Sequence, residues 1–356
     1  MWCATVTDAA AVLSLWGVGR EGTVGMIGPD EAVSHEHELE QVRRMSFAIA
    51  YRMLGSAAEA EDVVQEALLR VHRATENGEQ VASLRAYVAT ATTRLAINEL
   101  RSARRRREQY VGEWLPSPVL TGEVDDPSER AEMVDSLSMA LLVVLESLSA
   151  EQRAAWLLHD VFCYPYAQIA AILEKSEENV RKLASRARRH IEVRRPRFPT
   201  SVQQREALTR RFLAAVRHGD LSGLEALLAD DVVLTGDGGG KVPSLARPVH
   251  GRHNVVQVLG IWLRVLDRFP AMTLRPAEVN GGTGVMVLDH QGCLVAVWTL
   301  ELTGGEIRAI GSVVNPDKLA HLGPVADFAA LVGASLQRRS ATHDPRPTTG
   351  DQGGRQ

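Results

Sequence analysis

Residues 165–191, PYAQIAAILEKSEENVRKLASRARRHI, decide what kind of protein this is. Tyr166, Ile169, Ala170, Ile172 and Leu173 recur at helical spacing and predict one short amphipathic helix. Glu174 and Lys175 supply a tight turn, and Ser176 is a good N-cap with Glu177 and Glu178 in the first turn behind it. In the second helix Val180, Leu183, Ala184, Ala187 and Ile191 form the apolar stripe. Arg181, Lys182, Ser185, Arg186 and Arg189 are left on the opposite face. Two short helices joined this closely, the second one cationic outside, predict a helix-turn-helix whose second helix enters a major groove. The plainer alternative is a basic helix facing water on an ordinary bundle, but the turn, the cap and the paired lengths favour DNA.

Working outward, residues 35–74 carry two helical runs separated by Gly55-Ser56, a helix stop followed by a new cap. A third helix is predicted from Ser83 to Arg107, apolar at its start and ending in Arg101-Ser102-Ala103-Arg104-Arg105-Arg106-Arg107. Trp114-Leu115-Pro116-Ser117-Pro118 and Asp125-Asp126-Pro127 exclude a continuous helix, so a linker follows. Helical pattern then holds to about Arg195, where Arg195-Pro196-Arg197-Phe198-Pro199 breaks it. Two more helices are expected at 202–217 and 220–229. Strand-like runs follow at Val232 to Leu234, Gly284 to Leu288, Leu294 to Leu302 and Ile307 to Val314. The chain thus divides into a loose extension (1–34), a helical domain (35–108), a linker (109–135), a second helical domain (136–198), an α+β domain (199–322) and a largely disordered tail (323–356).

The bulk numbers agree with several domains in 356 residues. A formal net charge of −4 hides local arginine clusters, which are what nucleic acid meets. Cys3, Cys163 and Cys293 are too scattered for a disulfide scaffold or a zinc site, so no metal or cofactor is expected and a cytoplasmic location is. No run approaches the roughly 20 apolar residues that span a bilayer.

At this point a resemblance enters. Ala58-Glu59-Ala60-Glu61-Asp62-Val63-Val64-Gln65-Glu66-Ala67 resembles the acidic helix of sigma factor region 2. The resemblance implies that Glu61, Asp62, Gln65 and Glu66 dock on the clamp helices of RNA polymerase. It also implies that Arg94, Asn98, Arg101, Arg104 and Arg105 hold the minus-ten promoter element. Leu157 to Tyr166 with the helix-turn-helix resembles sigma region 4, which reads the minus-thirty-five element and touches the polymerase flap. Region 3 is absent, as in the extracytoplasmic-function class. Cys163 falls where that family often has Gly, a change expected to be tolerated by a small apolar side chain.

The remainder of the chain is similar to sigma-J-like factors that carry a SnoaL-like domain, a cone-shaped α+β fold. The similarity rests on Tyr110-Val111-Gly112-Glu113-Trp114-Leu115-Pro116, Asp237-Gly238-Gly239-Gly240-Lys241 and Asn315-Pro316-Asp317-Lys318-Leu319. Trp114, Leu115, Pro116, Asp237, Gly238, Gly239, Gly240, Lys241, Asn315, Pro316, Asp317 and Lys318 are therefore expected to form an interdomain contact that regulates activity in cis. Enzyme relatives place Asp and His in the pocket, but Asp237, His250, His253, Asp289 and His290 show no catalytic spacing, and no catalytic residue is assigned. Thr235 to Val242 lacks the first Gly and the hydroxyl residue of a phosphate loop, so no nucleotide site is read there. A small ligand for the pocket stays open. The competing readings are a one-component DNA-binding regulator with a ligand-binding domain and a SnoaL-like enzyme fused to a DNA-binding module.

Overall fold

A computed structural model describes residues 29–79, 81–107, 109–121, 137–194, 202–266, 272–328 and 331, apart from the side chains of 29–36, 103–107, 194, 202 and 265–266. Three helices come first: α1 (Pro29–Leu54), α2 (Ala57–Glu76) and α3 (Leu84–Arg107). The helix expected from residue 35 starts earlier, at Pro29, so part of the supposed loose extension is helical. Proline's fixed φ and missing N–H suit a first helical turn, which explains the earlier start. Between α1 and α2 the stop and cap are as expected: Gly55 has φ +67, and the Ser56 hydroxyl accepts the Glu59 N–H.

After the linker, α4 (Met139–Glu146) and α5 (Ala150–Trp156) lead into a π-helical turn at Leu157–Val161. Then α6 (Tyr166–Leu173) and α7 (Glu177–Arg194) form the helix-turn-helix. Glu174 between them adopts a left-handed conformation with φ 54, which ends α6 and turns the chain. Val180, Ala184, Ala187 and Ile191 are buried as the periodicity predicts. Their cluster also includes Ile49, Met53 and Leu54 of α1 and Ala96, Ile97 and Leu100 of α3. The two helical regions therefore share one continuous core. Cys163 is exposed, with φ 57, so the position asks for a left-handed backbone and not for the small apolar side chain expected of it.

The last domain opens with α8 (Val202–His218) and α9 (Leu221–Glu225). The second of these is shorter than expected, because Leu228 already begins β1 (Leu228–Asp237). Its other elements are β2 (Val249–His250), α10 (Arg252–Leu266), β3 (Thr273–Val279), β4 (Gly282–Leu288), β5 (Leu294–Thr303), β6 (Glu306–Val313) and α11 (Pro316–Leu319). Sequence reading did not anticipate β2, α10 or β3. The six strands form one mixed sheet in the order β2-β1-β6-β5-β4-β3, in which β1 and β6 run parallel and the other neighbours antiparallel.

One sheet face carries Trp298, Leu300 and Ile310 against Phe212 and Val216 of α8 and Leu259 and Leu263 of α10. Met286, Val297 and Val313 line the other face, where Leu115 of the linker packs on them together with Leu319. The α+β architecture expected of this domain is thus present, with helices on one side of the sheet and the linker on the other. The supposed tail also begins in order: Val325 bridges Leu294 in parallel, and Leu294 N–H donates to the Pro324 carbonyl at 2.8 Å. An unpaired edge at the start of β5 attracts this short strand. The rest of the tail, like residues 1–28, lies outside the described residues.

Glu301 of β5 shares the face of Val297, and burial pushes its carboxyl up to about 7. A carboxyl whose folded pKa exceeds its unfolded one stabilises the fold fully below the unfolded value, near 4.5, and loses that contribution as pH rises through 7. Glu301→Gln is expected to melt with the parent at pH 5 and above it at pH 8, in paired thermal scans.

Candidate nucleic-acid and interdomain interfaces

Arg181, Lys182, Arg186 and Arg189 are exposed on α7, with Ser185 half-buried among them. Two of these cations are held by acids one turn back. Arg181 pairs with Glu177, and Lys182 with Glu178 at 2.6 Å. Arg181 also lies 4.5 Å over the Tyr166 ring, which orients it from α6. Exposed pairs of this kind are worth well under about 1 kcal/mol, so both cations can exchange partners for phosphate. On α2, Asp62 and Gln65 are exposed, while Glu61 pairs with Arg43 and Glu66 with Arg70, each at 2.9 Å.

The third group behaves differently. Arg94 Nε donates to the Ile172 carbonyl at 2.9 Å and Nη2 to the Ala171 carbonyl at 3.1 Å. Its Nη2 also pairs with Glu174 at 3.0 Å. These carbonyls end α6, where the helix has acceptors without internal partners and a partial negative charge. Arg101 reaches Glu151 at 3.4 Å, and Lys175 shares that carboxylate at 3.3 Å. Asn98 is exposed beside them, lining a cavity of about 250 Å³ between α3 and α6. The side chains of Arg104 and Arg105 lie outside the described residues.

Arg153 joins the same two regions at a second point. It is 2% exposed and donates to the carbonyls of Met53, at the end of α1, and Leu145, at the end of α4, each at 2.5 Å. Burial lowers its pKa to about 9, which still leaves it charged at neutral pH. Sequence reading gave it no role, because an Arg inside a short helix looks solvent-facing until a second domain covers it.

The linker lies between the helical regions and the last domain. Asp237, fully buried at the end of β1, accepts from Tyr110 Oη at 2.6 Å, Leu115 N–H at 2.8 Å and Gly239 N–H at 3.1 Å. It pairs with Lys318 of α11 at 2.6 Å. Lys318 Nζ also donates to the Leu115 carbonyl and sits 4.2 Å over the Trp114 ring and 5.0 Å over that of Tyr110. Asn315 Nδ2 donates to Tyr110 Oη at 2.8 Å. Burial and the adjacent Asp237 carboxylate keep the Tyr110 phenol protonated, as its donor role requires.

Glycine in the Asp237-Gly238-Gly239-Gly240-Lys241 loop is needed for closeness. Gly239, at φ +59, backs onto Asn315, and a Cβ there would overlap its amide. A Cβ on Gly240 would stand 3.0 Å from Val111. Lys241 closes the loop on Asp317 at 2.7 Å. Of the expected set, Trp114 and Leu115 meet Asp237 and Lys318, Gly239 meets Asn315, and Lys241 and Asp317 pair with each other, while Pro116 is buried next to Leu115. Asp289, one of the weighed acids, instead caps its own turn through the N–H groups of Gln291 and Cys293.

Two further residues of this contact escaped sequence reading. Asn280 Oδ1 accepts Val119 N–H at 2.9 Å, and its own N–H donates to the Val119 carbonyl at 2.8 Å. Its Nδ2 donates to Tyr51 Oη at 2.6 Å and to the Leu137 carbonyl at 3.2 Å. Tyr51 in turn donates to the Ser117 carbonyl at 2.5 Å. The available signal was Asn280-Gly281, a hairpin dipeptide whose residues have φ 53 and 68.

Comparison with known proteins adds to this geometry. Residues 39–106 match the family described as Sigma-70 region 2, and residues 138–191 the family described as Sigma-70, region 4. The ECF RNA polymerase sigma factor SigJ of Mycobacterium tuberculosis is 36% identical over 79% of this chain and 92% of its own length. The chain belongs to the extracytoplasmic-function sigma factors. These factors direct transcription initiation at chosen promoters. A second relative, the probable sigma factor SigI of the same species, is 31% identical over 76% of this chain and 90% of its own. The crystal structure of M. tuberculosis SigJ superposes with a TM-score of 0.63 at 34% identity, covering 80% of this chain and 98% of that one. That coverage takes in the α+β domain as well as both sigma regions. Among the described residues no helix is long and apolar enough to cross a membrane.

Proposed function

We propose that this sigma factor rests in a closed state, with its minus-ten surface turned against region 4 and its α+β domain acting as the clamp. In the open state Glu61, Asp62, Gln65 and Glu66 dock on core RNA polymerase. Arg94, Asn98, Arg101, Arg104 and Arg105 then meet the minus-ten element, while Arg181, Lys182, Ser185, Arg186 and Arg189 meet the minus-thirty-five element. The observation that carries the closed state is Arg94, whose guanidinium is bound by two carbonyls and a carboxylate of region 4. Nε and Nη2 of this guanidinium are thus engaged by region 4 and must be released before they can meet DNA. Residues of both regions are also buried in one shared core, which holds the α3 surface against region 4. Opening must therefore precede initiation, and any contact that holds the regions together lowers output.

Glu174→Lys tests it. Lysine tolerates the left-handed backbone no worse than glutamate, and it sets a like charge 3 Å from Arg94 without altering any residue assigned to DNA. Run-off transcription with bacterial core polymerase is expected to rise about three- to tenfold, in keeping with the loss of roughly 1 kcal/mol from a half-exposed pair. Equal yields from the two proteins would remove the closed state as a regulator.

A further inference from the structure

Basic character does not stop at the end of the helix-turn-helix. Residues 195–218 hold six arginines and a single acid, Glu206. The chain from Arg194, which ends α7, to Val202, which begins α8, is eight residue steps long and spans at most about 28 Å.

Helix α8 presents its charges in a fixed direction. Leu208, Phe212, Leu213 and Val216 are buried with the sheet and α10, so the helix cannot turn about its axis. Arg210, Arg211, Ala214 and Arg217 are exposed on its other side. Arg210 and Arg217 lie in line, about 10.5 Å apart along the axis, and Arg211 stands about 100° round from Arg210. Ala214 falls between the two flanks and leaves a strip free of bulk. The Glu206 carboxylate is 3.8 Å from Arg210, and Arg217 Nη2 donates to the Leu274 carbonyl at 3.2 Å. Among the described residues no carboxylate pairs with Arg211 or Arg217, in contrast to Arg181 and Lys182 of α7.

We propose that the outer face of α8 is a third DNA contact, which grips phosphates of the duplex beside the region 4 site. Arginine's planar fork matches a phosphate bidentately. The duplex offers a charge about every 1.7 Å of its axis, and the connection keeps α8 within roughly eight base pairs of where α7 docks. Tethering of this kind gives a weak contact a high effective concentration. A protein partner fits the face less well, because such interfaces centre on apolar anchors and no large apolar side chain is exposed on the described part of α8. Phosphate contacts add affinity and salt dependence without reading sequence. The inference goes beyond the closed-state reading and does not depend on it, since the outer face of α8 and the cationic face of α7 are both exposed while regions 2 and 4 are held together.

The test uses the full chain and a fluorescein-labelled duplex of mixed sequence, about 40 base pairs long, titrated by anisotropy between about 50 and 200 mM KCl. Arg211→Gln with Arg217→Gln is expected to reduce the slope of log affinity against log salt by about two, at roughly 0.9 per phosphate contact, and to weaken binding about tenfold at the low end of that range. Arg275→Gln with Arg308→Gln removes the same charge from exposed positions on β3 and β6 and should keep the parental slope. Circular dichroism reports whether the first pair folds without the Leu274 bond. If it does not, Arg211→Gln alone should reduce the slope by about one. A parental slope in the folded variant overturns the contact, and weaker binding of that variant to core polymerase would assign the face to a protein surface instead. Equal losses from the two pairs would make the effect one of net charge and overturn it as well.

Discussion

Asp237→Ala releases the linker from the α+β domain at a cost of about 3–5 kcal/mol, the range for breaking a buried pair by removing one partner. The size follows from what is stranded. Lys318 is left without that carboxylate in a site where its side chain is 9% exposed, and Tyr110 Oη, Leu115 N–H and Gly239 N–H lose their acceptor. The aromatic faces of Trp114 and Tyr110 remain over the ammonium and recover part of the loss. Hydrogen exchange at the Leu115 amide should accelerate by two to three orders of magnitude, or about 3–4 kcal/mol at 1.36 kcal/mol per tenfold. Run-off yield should rise with it, since the clamp no longer holds regions 2 and 4 together. The double variant Asp237→Leu with Lys318→Met should be less destabilised than Asp237→Ala, because no unpaired charge stays buried. An Asp237→Ala protein whose Leu115 amide exchanges at the parental rate would show that the contact stands without its ion pair.

Asn280→Gly comes second in expected size, at about 3 kcal/mol, from three hydrogen bonds at roughly 1 kcal/mol each. The bonds lost are those from Val119 N–H and to Tyr51 Oη and the Leu137 carbonyl. Glycine keeps the φ of 53 without penalty, so the measured loss belongs to the side chain. Asn280→Ala should cost about 1 kcal/mol more, the strain of a left-handed alanine. Urea unfolding of the three proteins, followed by far-ultraviolet circular dichroism, separates the two terms. Equal midpoints for Gly and Ala would mean that the turn relaxes, and a parental midpoint for both would mean that Asn280 bears little of the junction.

The helices were legible because their signal is periodic and local. Val180, Ala184, Ala187 and Ile191 read as a buried stripe and are one. Ser56 and Gly55 read as a cap and a stop and are both. The last domain was less legible. The runs at β4, β5 and β6 are rich in Val, Leu and Ile, but Thr273–Val279 carries Arg275, Pro276 and Glu278 at the sheet edge, and its half-exposed pattern resembles a loop. Helix α10 was overlooked although Val255, Val256, Leu259 and Leu263 keep helical spacing and are buried. The three motifs of the interdomain contact were assembled by family resemblance alone; no spacing in the chain ties Trp114 to Asp237 or Lys318.

By itself the sequence determined the two helical regions, the cationic face of α7, the acidic face of α2 and the need for a close turn at Gly238-Gly239-Gly240. Tertiary structure alone decided what each polar tip would touch. Arg94 was read as a DNA contact and is bound 78 residues away to Ile172. Asp237 finds Lys318 across 81 residues, and Asn280 finds Tyr51 across 229. The physical reason is that burial of apolar side chains follows from the period of a single element, whereas a charged or amide group looks the same in sequence whether water or another domain satisfies it. Its partner is chosen only when chain closure brings the two elements together.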